Sequence, residues 1–104
     1  MSQSIHDFHD DPRNSAIRIW VNGALKARAE AMVSVFDSGF VLGDGVWEGL
    51  RVVGGHPVFL DAHLDRLYEG VKAIALDIGM SRAALTGALY ATLAANDMRS
   101  DGVH

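Results

Sequence analysis

The sequence predicts an α+β fold: an antiparallel sheet with two helices packed on one side. Three observations predict it. Apolar residues alternate at a period of two in short segments up to Leu60. The pairs Asn22-Gly23 and Gly54-Gly55 punctuate those segments as hairpin turns. Beyond Asp61 the apolar spacing changes to three and four, the period of a helix. Strands followed by helices, rather than alternating with them, place the helices together on one face of an antiparallel sheet.

The elements follow in order. Residues 1–15 are polar and read as a disordered arm, with residues 16–104 as a single domain. Within the arm, His6-x-x-His9 followed by Asp10 and Asp11 is a poor metal site without a rigid frame. Ile17, Ile19 and Val21 alternate with Arg18 and Trp20 as a strand, and Asn22-Gly23 turns it into a return strand over Ala24–Arg28. Met32–Phe36 reads as a further strand, ended by the turn formers Asp37-Ser38-Gly39. Val46–Val53 is the longest strand, and Gly54-Gly55 returns it along His56–Leu60. Leu64, Leu67, Tyr68, Val71, Ile74, Ala75 and Ile78 form one helix face, with Asp61 as N-cap and Gly79 just past the end. Ser81 caps a second helix carrying Leu85, Ala88, Leu89 and Leu93, which Asn96-Asp97 terminates. Asp101-Gly102 reads as a turn, and Val103-His104 as the start of another strand.

Composition narrows the function classes. Nine basic against thirteen acidic residues give a net charge of −4, which argues against a nucleic-acid or anionic-membrane partner but leaves room for one local anion site. There is no cysteine, so no disulfide or thiolate chemistry; this fits a cytoplasmic protein. No apolar run approaches the roughly 20 residues of a membrane span.

Candidate chemistry lies in two short stretches. In Val46–Val53, Trp47, Gly49, Arg51 and Val53 share one face; Val46, Glu48, Leu50 and Val52 share the other. A glycine between an aromatic and an arginine allows close approach of a flat anionic ligand, or marks a bulge beside a surface arginine. Glu48 on the apolar face is costly unless paired or protonated, and the expectation is either a buried pair with an arginine or an edge position near solvent. Gly43-Asp44-Gly45 lacks the third glycine of a nucleotide signature and reads as a tight turn aiming Trp47. In the first helix, Arg66 lies beside the apolar stripe with Gly70 one turn on, which predicts open space next to the guanidinium. Spacing allows Arg66 either a bidentate phosphate contact or an i,i+3 pair with Glu69. His63 is expected to face solvent or cap the first turn. The two lysines, Lys26 and Lys72, read as solvated surface groups.

Four motifs in order carry a family resemblance: Ile19-Trp20-Val21-Asn22-Gly23, Phe36-Asp37-Ser38-Gly39-Phe40, Gly43–Arg51 and His63–Leu67. Together they resemble the class IV (fold type IV) pyridoxal-phosphate enzymes, which include branched-chain aminotransferases, D-amino acid aminotransferases and aminodeoxychorismate lyases. The resemblance spans nearly all of this chain but only the smaller, amino-terminal domain of the family. It implies pyridoxal 5′-phosphate as cofactor, an amino acid and a 2-oxo acid as substrates, and a homodimer as the complete enzyme. It implies that Arg66 binds the cofactor phosphate, and that Trp47, Leu42 and Arg51 shape the substrate pocket. The family's Schiff-base lysine belongs to a second domain, so no catalytic residue is expected in these 104 residues, and the chain by itself is expected to have no transaminase activity. The alternatives are a lyase of the same fold, or a stand-alone module that binds a phosphorylated ligand or serves association.

Overall fold

In a computed structural model the described residues are 11–104. Most of the expected arm, with His6 and His9, lies outside them. Its last residues, Pro12–Asn14, make one 3-10 turn capped by Asp11, whose carboxylate accepts from the Arg13 amide. Two antiparallel ribbons and two long helices follow, an α+β arrangement.

The first ribbon is β1 (Arg18–Val21) paired with β2 (Ala24–Ala27), in the register Ile19 opposite Lys26 and Trp20 opposite Leu25. Asn22 and Gly23 both take positive φ, 48° and 90°, as a type I′ turn requires. Met32–Phe36 forms no strand. Among the described residues no neighbour offers it a ladder, and its apolar side chains stand in solvent, Phe36 at 88% exposure. A short helix, α1 (Ser38–Leu42), follows; Asp37 caps it by accepting from the Gly39 amide at 2.8 Å, and left-handed Gly43 ends it.

The predicted strand Val46–Val53 is paired only at β3 (Val52–Val53), against β4 (His56–Pro57). The expected single sheet is therefore two ribbons. Pro57, opposite Val52, has no N–H to donate, so the ladder gains only one more bond, from the Val58 amide to the Arg51 carbonyl at 2.8 Å. The alternation nonetheless persists: Val46, Glu48, Leu50 and Val52 are half-buried, while Trp47, Gly49, Arg51 and Val53 are exposed. Between the ribbons and the second long helix runs an apolar groove of about 520 Å³ that includes Trp20, Leu50 and Leu89.

The long helices are α2 (Leu60–Ala73) and α3 (Arg82–Ala95). Leu64 and Val71 of α2 and Ala88 of α3 are the buried apolar residues among those described. Arg82 ties the start of α3 to α2, donating to the Asp65 carboxylate at 2.5 Å and to the Asp61 carbonyl at 2.9 Å. Asn96 joins α3 to β1 through both halves of its amide: it accepts from the Arg18 amide at 2.8 Å and donates to the Arg18 carbonyl at 2.9 Å.

Both ends of α2 differ from expectation. The helix starts two residues early, after left-handed Phe59, with no side-chain cap; Asp61 lies in its first turn, where its charge favours the helix dipole. It also ends a turn before Gly79. Leu76 donates to the Val71 carbonyl and Ala75 to the Lys72 carbonyl, a Schellman closure with Ala75 at φ 56°. The end of α3 has the same closure, with Asp97 left-handed and Met98 donating to Leu93, where Asn96-Asp97 was expected to stop it. Ser81 caps α3 as expected, accepting from the Ala84 amide. Val103 and His104 make no strand; they close over the Gly54-Gly55 turn, the Val103 carbonyl accepting from Gly55 and His104 Nδ1 from Gly54.

Candidate functional site

The face of α2 that carries His63, Arg66 and Gly70 meets the extended segment at Val46 and Glu48. Gly70 does not leave a gap beside the guanidinium, as its sequence position predicted. A Cβ there would meet Val46 Cγ1 at 3.2 Å, so the missing side chain lets the segment approach the helix. Two residues on, with the same facing, Glu48 then reaches the helix one turn earlier, at Arg66.

The resulting cluster is tight. Arg66 Nε donates to Glu48 Oε1 at 2.5 Å and Nη2 to Oε2 at 2.6 Å, a two-point carboxylate–guanidinium pair. His63 Nδ1 lies 3.2 Å from Glu48 Oε2. The partner of Arg66 is thus Glu48, as expected for the carboxylate, and not Glu69. His63 is half-buried against that carboxylate rather than turned to solvent. The hydrogen bonds from Arg66 are the main cause that lowers the Glu48 pKa to about 2; burial opposes them and the bond to His63 adds to them. The same pairing raises the pKa of Arg66. Both groups are charged at neutral pH.

The two ends of the pair differ in access. The Glu48 side chain is 9% exposed and that of Arg66 is 73% exposed. Glu48 uses the Nε and one Nη2 proton, which leaves the Nη1 protons and one Nη2 proton not taken by Glu48. Arg66 also lines a hollow of about 190 Å³, with Ala62 and His63. An exposed guanidinium with protons not taken by Glu48 is a donor suited to a phosphate group.

The other predicted site residues lie apart from this hollow. Trp47 is 86% exposed, on the solvent side of the segment, with its ring edge 3.6 Å from where a Cβ of Gly49 would be. That is ordinary van der Waals contact, so the indole does not require a glycine between aromatic and arginine. Leu42 is 72% exposed at the end of α1, and Arg51 is exposed. Lys72 is exposed and Lys26 half-buried in β2. His63 is the member of the cluster that sequence reasoning missed. Its spacing of three from Arg66 puts it on the same helix face, but which strand residue that face meets is decided by packing. Among the described residues, no group of three or more His, Asp or Glu could hold a metal ion.

The sequence profile of the family described as amino-transferase class IV matches residues 45–103, which include the whole Glu48–His63–Arg66 cluster. The chain belongs to the class IV aminotransferase family, whose enzymes depend on pyridoxal phosphate. It is 42% identical over 87 residues to the branched-chain-amino-acid aminotransferase-like protein 1 of Arabidopsis thaliana, covering 84% of this chain and 16% of that protein. It is 34% identical over 88 residues to the D-alanine aminotransferase of Bacillus licheniformis, covering 85% and 31%. It is 35% identical over 81 residues to the aminodeoxychorismate lyase of Bacillus subtilis, covering 78% and 28%. The chain therefore spans less than a third of the length of these curated relatives.

Proposed function

We propose that this chain is the phosphate-holding, pocket-shaping amino-terminal part of a pyridoxal-phosphate aminotransferase. Its substrates are an amino acid, branched-chain or D-configured, and a 2-oxo acid. The observation that carries the reading is Arg66, gripped through Nε and Nη2 by Glu48, largely exposed, and lining the small hollow beside His63. Arg66 holds the cofactor phosphate there. Trp47, Leu42 and Arg51 form the substrate-facing wall, Trp47 as a flat apolar surface and Arg51 as a charge for a carboxylate. The bound cofactor supplies the electron sink through which an amino group passes between carbon skeletons. This chain's residues bind and orient; the Schiff-base lysine belongs to a second domain. The exposed apolar side chains between Met32 and Trp47, Phe36, Phe40 and Leu42 among them, support burial in a larger assembly, which we take to be a homodimer in the cytoplasm, with no nucleic acid or membrane partner. No helix among the described residues is long and apolar enough to cross a membrane.

The test is calorimetric titration of the 104-residue chain with pyridoxamine 5′-phosphate, which has no aldehyde to react with surface lysines. Pyridoxamine, without the phosphate, is the control. The phosphorylated form is expected to bind at least tenfold tighter, and Arg66→Ala to abolish that preference. A preference unchanged in Arg66→Ala removes Arg66 from the phosphate role.

A further inference from the structure

The Glu48–Arg66 pair has an asymmetry that stability does not require. A surface arginine usually samples many rotamers, and a single exposed carboxylate on the same helix would do little to stop it. Here the partner comes from a different segment of the chain, is nearly enclosed, and grips two donors of the guanidinium at once. Two bonds in one plane fix the orientation of that plane as well as the position of the charge. The same carboxylate also takes His63 Nδ1, at 3.2 Å. With Nδ1 donating to Glu48, Nε2 of the neutral ring is an acceptor and donates to a phosphate only when the ring is protonated; His63 lines the hollow together with Arg66. Gly70 is the enabling residue, because it admits Val46 and brings Glu48 within reach.

We propose that Glu48 is a positioning residue: its carboxylate fixes the guanidinium of Arg66 and the ring of His63 so that both face the hollow where a phosphate monoester binds. The proposal rests on the reading of Arg66 as the phosphate ligand. Ionisation of Glu48 well below neutral pH keeps this clamp in place across the range in which a phosphate monoester is an anion.

The competing effect has the opposite sign, which makes the proposal testable. A carboxylate beside the anion site repels phosphate and offsets the charge of Arg66. If Glu48 is only a competitor, removing its charge tightens phosphate binding. If it positions Arg66, removing the clamp frees the side chain, and ordering it again on binding weakens affinity. Glu48→Gln keeps one acceptor for Nε and loses the second. Its affinity for pyridoxamine 5′-phosphate is expected to fall three- to tenfold, with pyridoxamine unaffected. The Arg66 Nε–H resonance, followed by NMR, is expected to be slow to exchange in the parent chain and fast in the variant. Affinity equal to or tighter than the parent's, while Arg66→Ala still abolishes the phosphate preference, overturns the positioning role and leaves the ligand role intact. Loss of effect in both variants overturns the ligand role itself. Should Glu48→Gln not fold, Arg66→Lys decides. Its ammonium keeps the charge but cannot hold both Glu48 oxygens and phosphate in one plane, so retention of parental affinity within twofold overturns the proposal.

Discussion

Replacing Gly55 by alanine should destabilise the chain far more than the same change at Gly54. The two glycines form one type I′ turn and both are left-handed, at φ 77° and 59°. Each substitution therefore carries about 1 kcal/mol for placing a Cβ in that region. Their surroundings differ. A Cβ on Gly54 would meet the Asp101 carbonyl oxygen at 3.7 Å, ordinary contact, whereas one on Gly55 would overlap the Arg99 carbonyl and approach the Ser100 oxygen at 2.9 Å. Those are backbone atoms with no rotamer to escape into. Relief requires residues 99–103 to lift from the turn. That gives up the Gly55–Val103 hydrogen bond of 3.2 Å, worth about 1 kcal/mol, and the stacking of Arg99 on Tyr90 at 4.4 Å, worth about 0.5–1 kcal/mol. The total is about 3 kcal/mol for Gly55→Ala against about 1 kcal/mol for Gly54→Ala. In urea unfolding followed by circular dichroism, with a slope of about 1–1.5 kcal/mol/M, the Gly55 variant should melt about 1.3–2 M below the Gly54 variant. Midpoints within 0.5 M of each other would refute the close approach of residues 99–103 to this turn.

Ala75→Gly should stabilise the protein by about 0.5 kcal/mol, because relief of about 1 kcal/mol of left-handed strain at φ 56° outweighs the greater freedom of glycine in the unfolded chain; thermal unfolding of the variant checks it, and a lower midpoint counts against the Schellman closure. Stability should also depend on Glu48 in acid. Its folded pKa, about 2, lies below its ordinary value of 4.5, so the clamp's contribution is complete above about pH 4.5 and is lost as pH falls towards 2. Between those limits the parent chain should lose stability more steeply than Glu48→Gln, as read from urea midpoints at each pH; equal slopes would show that Glu48 does not titrate as a paired group.

The residues that form the cluster were visible in different degrees. Glu48 announced itself as a carboxylate on an apolar face, which is costly unless paired or protonated, and the structure supplies Arg66. The resemblance supplied the phosphate role of Arg66. His63 was hidden because a histidine at the start of an amphipathic helix looks the same whether it meets water or a carboxylate. Gly70 was misread: from one helix, a missing side chain looks like a gap, and only the other surface shows that Val46 fills it. The ends of α2 were misjudged because an apolar stripe continues through Ala75 and Ile78, while Ala75 takes a left-handed conformation that its side chain does not advertise.

Local chemistry determined what needed few partners: the Asn22-Gly23 and Gly54-Gly55 turns, the Asp37 and Ser81 caps, the helix periods, and the alternation of burial along Val46–Val53. Those features depend on φ preferences and on contacts a few residues apart, which the order of residues specifies directly. Tertiary structure decided which alternating segments became strands and which side chains met across elements. A strand exists only when a second backbone supplies its hydrogen bonds, so Met32–Phe36 stayed exposed and Val46–Leu50 kept the alternation without the ladder. The two-point grip of Glu48 on Arg66 is of the same kind. It depends on the distance between two surfaces, set by a glycine on one and a valine on the other.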